Sequence, residues 1–266
     1  MSDGTILSEQ AAEPVGPYPH ARRVGDLLLL SGIGPRERGA ATIPGVTQDA
    51  TGAVIARDFE AQARAVFANV RAVLATAGAG WSDIVDVTCF LTHMADDFAT
   101  LNRLWAEAFP DPATRPTRTT VEVTGLPTPI DIELKVIARV PASEILQYDP
   151  ERRWAAATRV GRLVYLAGET ATDPVTLAIV PGGIEAQTEQ VFTNIRTTLA
   201  RLGADLGDVI KITMFLTDMA DLPAISAIRS RHLPRPLPSS AVQVGALASP
   251  EMRIEIEAIA LLPGSD

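Results

Sequence analysis

Glu60-Ala-Gln62, followed by Val66-Phe-Ala-Asn-Val-Arg71, is answered later in the chain by Glu185-Ala-Gln187 and Val191-Phe-Thr-Asn-Ile-Arg196. In the first stretch Phe59, Ala63, Val66, Phe67, Val70, Val73 and Leu74 recur at the spacings of one helical face, which predicts a long amphipathic helix. Ile184, Val191, Phe192, Ile195 and Leu199 repeat the pattern. Gly78 and Gly203 stand just beyond, where a left-handed helix stop is wanted. The likeness extends outward on both sides. Asp83-Ile-Val-Asp-Val-Thr-Cys-Phe-Leu-Thr92 reads against Asp208-Val-Ile-Lys-Ile-Thr-Met-Phe-Leu-Thr217, and Met94-Ala-Asp96 against Met219-Ala-Asp221. Arg23-Val-Gly25 matches Arg159-Val-Gly161, and Ile132-Glu-Leu134 matches Ile254-Glu-Ile256. Matches that recur in one fixed order identify a tandem duplication.

Each copy reads alike. An apolar hairpin arm (Leu27 to Ser31, or Leu163 to Ala167) precedes the long helix. A β-branched strand follows, Ile84 to Leu91 or Val209 to Leu216. A second helix comes next, about Phe98 to Phe109, or Leu222 to His232. Two strands close the unit: Thr119 to Val123 with Ile130 to Val140, and Ala241 to Val244 with Arg253 to Leu261. Interleaved helices and strands predict an α+β unit, a mixed β-sheet with two helices packed on one face. The boundary falls near Pro141 to Pro150, giving units at 1–141 and 150–266.

Composition bounds the function. The 266 residues are 47% hydrophobic and 21% charged, enough apolar content for packed cores. A net charge of −9 repels phosphate backbones and argues against nucleic acid as a partner. One cysteine, Cys89, excludes an intrachain disulfide and fits a reducing compartment. The first twenty residues lack the basic start and apolar core of a secretory signal, and no apolar run is long enough to span a bilayer. A cytoplasmic protein without a membrane partner is expected. His20, His93 and His232 show no metal-ligand spacing. Cys89 alternates with Val87 and Leu91 on a predicted strand and reads as an inert core thiol. Gly182-Gly183 lacks the phosphate-loop pattern and reads as a turn.

The first copy also carries Gly16-Pro-Tyr-Pro-His20, Leu30-Ser-Gly32, Asn102, Arg118-Thr-Thr-Val-Glu-Val123, Leu126-Pro127 and Ile132-Glu-Leu134. Together they resemble the RidA family of reactive intermediate deaminases, also called the YjgF family, over nearly the whole chain, once per copy. Tyr18-Pro-His-Ala-Arg-Arg-Val-Gly-Asp26 and the longer segment from Arg36 to Arg57 resemble the 2-aminomuconate deaminase branch. The resemblance implies a chorismate-mutase-like α+β fold, assembly as a trimer with sites in clefts between units, and hydrolysis of enamines or imines to carbonyl compounds and ammonia. It implies no cofactor. For a chain with two units, closed symmetry favours a homotrimer of chains, a pseudo-hexamer of domains.

Imine hydrolysis needs a held carboxylate, an aimed water and a proton for the departing nitrogen. Arg118 suits the first task, because guanidinium binds carboxylate in a planar fork. Glu133 suits the others, since a partly buried carboxyl can orient water and exchange protons. Ser31 and the Gly32 N–H can bind further substrate oxygens, and Tyr18 offers a hydroxyl and an apolar wall. By resemblance Asn102 and Thr120 line the cleft; Thr120 stands where many relatives have cysteine. His20 is a candidate for proton transfer, the commonest role of an imidazole at a hydrolytic site. Each assignment has a structural rival. Arg118 with Glu133 also reads as a scaffold salt bridge, Ser31-Gly32 as a strand end and turn, Tyr18 as an interface aromatic, and His20 as a satisfied polar contact.

The second copy looks eroded. Aligning Val242 with Val121 puts Ser239 where Arg118 stands; Ala167 replaces Ser31, and Trp154 falls near the place of Tyr18. Gly168 and Glu255 persist, Glu255 for structural reasons, and Arg235 lies four residues before Ser239 as a weak substitute. This copy is therefore expected to be a scaffold that replaces a partner unit and supplies walls to the first copy's site. The functional expectation is a cofactor-independent hydrolase of a carboxylate-bearing enamine or imine, either 2-aminomuconate-like or a 2-iminoacid. The alternatives are a non-catalytic carboxylate binder or scaffold, and a diverged enzyme of a specialised pathway. A ribonuclease is disfavoured by the acidic charge.

Overall fold

The glutamine and asparagine of the repeated helix motif explain why it occurs twice: they fasten each long helix to its sheet. The computed structural model describes residues 4–140, 145–148, 153–233 and 235–263. The first copy runs β1 (Thr5–Ile6), β2 (Ala21–Val24), β3 (Leu27–Leu30), β4 (Val46–Gln48), β5 (Val54–Arg57), α1 (Phe59–Thr76), β6 (Ile84–Leu91), α2 (Met94–Ala108), β7 (Thr117–Glu122) and β8 (Ile132–Arg139). The second runs β9 (Ile145–Tyr148), β10 (Ala157–Val160), β11 (Leu163–Thr170), α3 (Gly183–Ala200), β12 (Val209–Leu216), α4 (Leu222–His232), β13 (Ser239–Gln243) and β14 (Ile254–Leu261). The sheet orders are β1-β2-β3-β8-β6-β7 and β9-β10-β11-β14-β12-β13, the same topology twice. In each, the pairing of the middle strand with the edge strand (β6 with β7, β12 with β13) is parallel.

On α1, Gln62 donates to Asp131 Oδ2 at 2.6 Å and accepts from the Asp131 N–H at 2.8 Å. On α3, Gln187 donates to Glu251 O and accepts from the Arg253 N–H. Asn69 donates to the carbonyls of Gly34 and Arg36, and Asn194 to those of Thr170 and Thr172. Most of these bonds go to backbone groups of the segments that flank the sheet strands. Gly78 and Gly203 take left-handed φ of +74° and +70° after the helices, as the sequence predicts.

The helices cover one face of each sheet, and each copy has its own apolar core there. The second helix of copy one starts at Met94, earlier than its apolar pattern suggests. The carboxylate of Glu122 accepts from the Met94 N–H at 2.7 Å, and Asp96 and Asp97 occupy the favourable first turn. Periodicity did not reveal two features. The 36–57 segment holds the β4–β5 hairpin, and β9, inside the expected boundary, is the edge strand of the second sheet. The boundary residues 141–144 and 149–152 lie outside the described residues. Among the described residues no helix is long and apolar enough to cross a membrane.

The helix-free faces of the two sheets meet. One apolar patch joins Phe90 and Val121 to Phe215, Val244 and Leu247, and a second joins Val85 and Ile137 to Val160 and Tyr165. Backbone bonds cross between copies: Glu122 N to Ala246 O and Gly245 N to Glu122 O, both 2.9 Å. Between the patches the charges are exchanged from copy to copy. Copy one carries Asp86 and Lys135 where copy two carries Lys211 and Glu257. Thr88 donates to Glu257 at 2.8 Å, with Lys135 Nζ 3.9 Å from the same carboxylate. Burial, then the nearby Glu257, raises the Asp86 carboxyl to about 7. Phe215 is 5% exposed. Phe215→Ala should cost about 3–5 kcal/mol in urea unfolding of the full chain, as large-to-small core changes do. A wild-type midpoint would mean that the copies are held by their linker alone.

Candidate active site between the copies

Register on β6 decides which side chains of copy one share a face. Arg118 and Thr120 pair with Val87 and Cys89, whereas Glu133 pairs with Phe90. Side chains alternate along a strand, so an odd offset puts Arg118 and Glu133 on opposite faces of one sheet. Arg118 therefore turns to the helix side of the edge strand, and Glu133 to the helix-free side. The expectation of one site built from both in the first copy is corrected here.

Arg118 is 2% exposed. Its Nη2 donates to Asn102 Oδ1 at 2.6 Å, and its Nη1 has no partner. The guanidinium carbon lies 4.4 Å from the Trp154 ring centre, 4.9 Å from Trp105 and 5.8 Å from Phe98. Cation–π attraction from three rings and one amide replaces much of the lost hydration. Burial still lowers the guanidinium to about 10, which leaves it charged at neutral pH.

What Arg118 faces comes from the second copy. A cavity of about 460 Å³ is lined by Arg118 and Thr120 on one side and by Trp154, Gly168, Glu169 and Glu255 on the other. Its floor is buried: Arg118, Thr120 and Glu255 are 2%, 5% and 4% exposed. The Thr120 hydroxyl, like Arg118 Nη1, is buried without a partner. The pairing of β11 with β14 shifts register between Leu166 and Glu169, so Gly168 sits in a bulge. Bulges re-aim backbone and side chains at sites of this kind. A Cβ on Gly168 would stand 1.8 Å from Glu255 Oε1 and 2.9 Å from Thr119 Oγ1, so only glycine fits beneath that carboxyl. Burial raises Glu255 to about 8; the carboxylates of Glu257 and Glu169 add to the rise, and Arg118 opposes it. Glu255 is thus largely a neutral acid at pH 7, able to give a proton and take it back.

The other expected residues form a separate, smaller pocket of about 40 Å³, lined by Tyr18, His20, Ser31 and Gly32. Glu133 is half-buried and lies over Gly32 as Glu255 lies over Gly168, with burial raising its pKa. Ser31 donates to Pro19 O at 2.6 Å. His20 is corrected as a proton carrier. Its Nδ1 accepts from Ser8 N at 3.0 Å and its Nε2 donates to Ala12 O at 2.8 Å, so both nitrogens serve the backbone. The strand that would complete this half-site in copy two, β13, is exposed and carries Ser239 at the register position of Arg118, opposite Ile212. Arg235 does not replace the arginine; it donates to Gly207 O at 2.7 Å. The predicted set is therefore divided: Arg118, Asn102 and Thr120 gather at the interface cavity, while Tyr18, Ser31, Gly32 and Glu133 do not. Cys89 is buried and pushed up to about 11, an inert thiol.

The family model described as Endoribonuclease L-PSP matches residues 8–140 and again 145–262. A RutC family protein of Pyrococcus abyssi is 33% identical over 52% of this chain and 98% of its own length. A Capra hircus protein named 2-iminobutanoate/2-iminopropanoate deaminase is 35% identical over 41% of this chain and 79% of its own. Among solved structures, the YjgF gene product of E. coli is 34% identical, covers 51% of this chain and 97% of its own, and superposes with a TM-score of 0.44.

Glu255 has an ordinary value of 4.5 and stands at about 8 in the folded chain. Between those values the native state keeps a proton that the unfolded state releases, so this group's contribution to stability falls as pH rises. Glu255→Gln cannot ionise and should lose less stability than wild type between pH 5 and pH 8. The difference is at most about 1.4 kcal/mol per pH unit. Urea unfolding at the two pH values checks it; equal slopes would show that Glu255 is ionised in the native chain.

Proposed function

From the premise that the chain belongs to the Endoribonuclease L-PSP (RidA/YjgF) family, twice over, we propose that it hydrolyses carboxylate-bearing imines or enamines, without a cofactor, in the cavity between its copies. The observation that carries this reading is a buried guanidinium with an unpaired N–H sharing one cavity with a largely protonated acid. Relatives named as 2-iminobutanoate/2-iminopropanoate deaminases support the chemistry. Both 2-iminoacids and 2-aminomuconate fall within this substrate class. The net charge of −9 works against RNA as a substrate.

Arg118 Nη1 and the Thr120 hydroxyl, both buried without a hydrogen-bond partner, take the substrate carboxylate. Such charge-assisted bonds contribute roughly 1.5–3 kcal/mol each. Asn102 and the three rings hold the guanidinium in place, so little reorganisation accompanies binding. Glu255 gives its proton to the imine nitrogen. The carboxylate left behind draws a proton from the water that adds to the C=N carbon, forming a carbinolamine. The hydroxyl proton then passes through Glu255 to the nitrogen; the C–N bond breaks, the C=O bond forms and ammonia leaves. Glu255 ends protonated, as it began.

Ammonia release from a 2-iminoacid generated in situ tests this. Arg118→Ala and Glu255→Gln should each lower kcat/KM by about a hundredfold or more, the usual weight of a positioned acid or anchor. Glu133→Gln should retain most of the activity. The reverse ranking would place the chemistry in copy one alone, and tight binding without turnover would mark a binder.

The trimer of chains also stands as a proposal. The faces that the β7–β11 contact buries inside the chain have their counterparts on the exposed strand β13 and on β3, where Leu29 is exposed at the place of the buried Tyr165. Continuity with that contact supports further chains covering them. Light scattering should report three chains; a stable monomer would overturn this.

A further inference from the structure

Docking of the copies leaves two half-sites over. On copy one the Gly32–Glu133 pair repeats the Gly168–Glu255 pair, outside the inter-copy cavity. On copy two β13 repeats β7, with Ser239 and Ala241 at the places of Arg118 and Thr120. Both leftover faces are uncovered: Val242 is exposed where Val121 is buried, and Leu29 where Tyr165 is buried.

The helix beside β13 has changed in the opposite sense to the strand. Ile225 and Ile228 of α4 are buried, as Leu101 and Leu104 of α2 are. Leu233 N donates to Arg229 O at 2.8 Å, as Phe109 N donates to Trp105 O at 2.9 Å. The two helices therefore align with Leu222, Ser226 and Arg229 at the places of Phe98, Asn102 and Trp105. In copy one the strand supplies the guanidinium and the helix its cage. In copy two the strand residue is serine and a cage position has become arginine. The Trp105 ring centre lies 4.9 Å from the Arg118 guanidinium, within the reach of an arginine stem rooted at the same place. Arg229 is half-buried, and its Nε is buried without a hydrogen-bond partner. Glu189, the carboxylate that α3 turns toward α4, is already engaged by Arg231 and His232. A partly buried cation with an orphaned donor is costly on a mere scaffold edge, and a bound carboxylate offsets that cost through charge-assisted bonds.

We propose that the β13 edge is a second carboxylate-binding half-site, in which Arg229 from α4 replaces the strand arginine, and that it closes against the Gly32–Glu133 half-site of a second chain. Each half holds what the other lacks, a guanidinium on one and a carboxyl on the other. The inference rests on the imine-hydrolase reading for its ligand, and it turns association of chains from a count into a shared site.

The test is calorimetry of full chains with 2-oxobutanoate, a stable carboxylate that needs no turnover, alongside light scattering. Wild type should bind two molecules per chain. Arg118→Ala should remove one event and Arg229→Met the other, the surviving event showing that each variant is folded. Arg229→Lys should keep the second event about tenfold weaker, since an ammonium cannot form the planar fork. Leu29→Asp, on the uncovered face of copy one, should separate the chains and weaken the second event about tenfold or more while leaving the first. Fewer than two events in wild type, or a second event that survives Arg229→Met, overturns the proposal. An undiminished second event in single chains overturns its closure between chains. Ammonia release from imines judges the parent reading separately. Two events without turnover would overturn the hydrolase and leave the second site standing, and turnover with one event would do the reverse.

Discussion

A single buried cation organises this protein. Arg118 leaves the core of its own domain only far enough to be capped by Trp154 of the other copy, and it lines a cavity whose acid, Glu255, also belongs to that copy. Removing a guanidinium from water is costly unless its surroundings compensate. Phe98, Trp105 and Asn102 meet that cost from copy one and Trp154 from copy two. The compensation is incomplete, because Nη1 keeps a free donor, and that donor is what a substrate carboxylate would satisfy. The two apolar patches dock the sheets, and the Arg118–Trp154 contact closes the cavity beside them.

The architecture was legible in the sequence for physical reasons. The helices announced themselves by their 3.6-residue apolar period, and both central strands, Ile84–Leu91 and Val209–Leu216, fall where the β-branched runs predict. The repeated Gln62/Gln187 and Asn69/Asn194 mark side chains that fasten helix to sheet, so the duplication exposes the scaffold's fixed points. The short strand β9 and the β4–β5 hairpin escaped because their runs of three or four residues carry too little alternation.

The site was only half legible. Arg118, Asn102 and Thr120, grouped in the sequence, lie together in the structure, but Glu133 was joined to them by its place in a sequence signature. Pairing parity on β6, Arg118 opposite Val87 and Glu133 opposite Phe90, separates the two, and no linear spacing carries that information. Glu255 and Gly168 were visible as survivors in a copy that had lost its arginine. Both line the same cavity as the arginine of copy one. His20, plausible by residue type, is held at both nitrogens by backbone.

The exposed strand β13 shows the other half of that division of labour. Its Ser239 is exposed and, carrying no charge, needs no cage of rings. The covalent tie between the copies has a kinetic corollary. A cleft shared by separate chains empties of its partner on dilution, whereas here arginine and acid meet at an effective concentration fixed by the linker. The pairing of Arg118 with Glu255 across the inter-copy cavity is therefore independent of how many chains surround it, down to concentrations at which an assembly of separate one-copy subunits would have come apart.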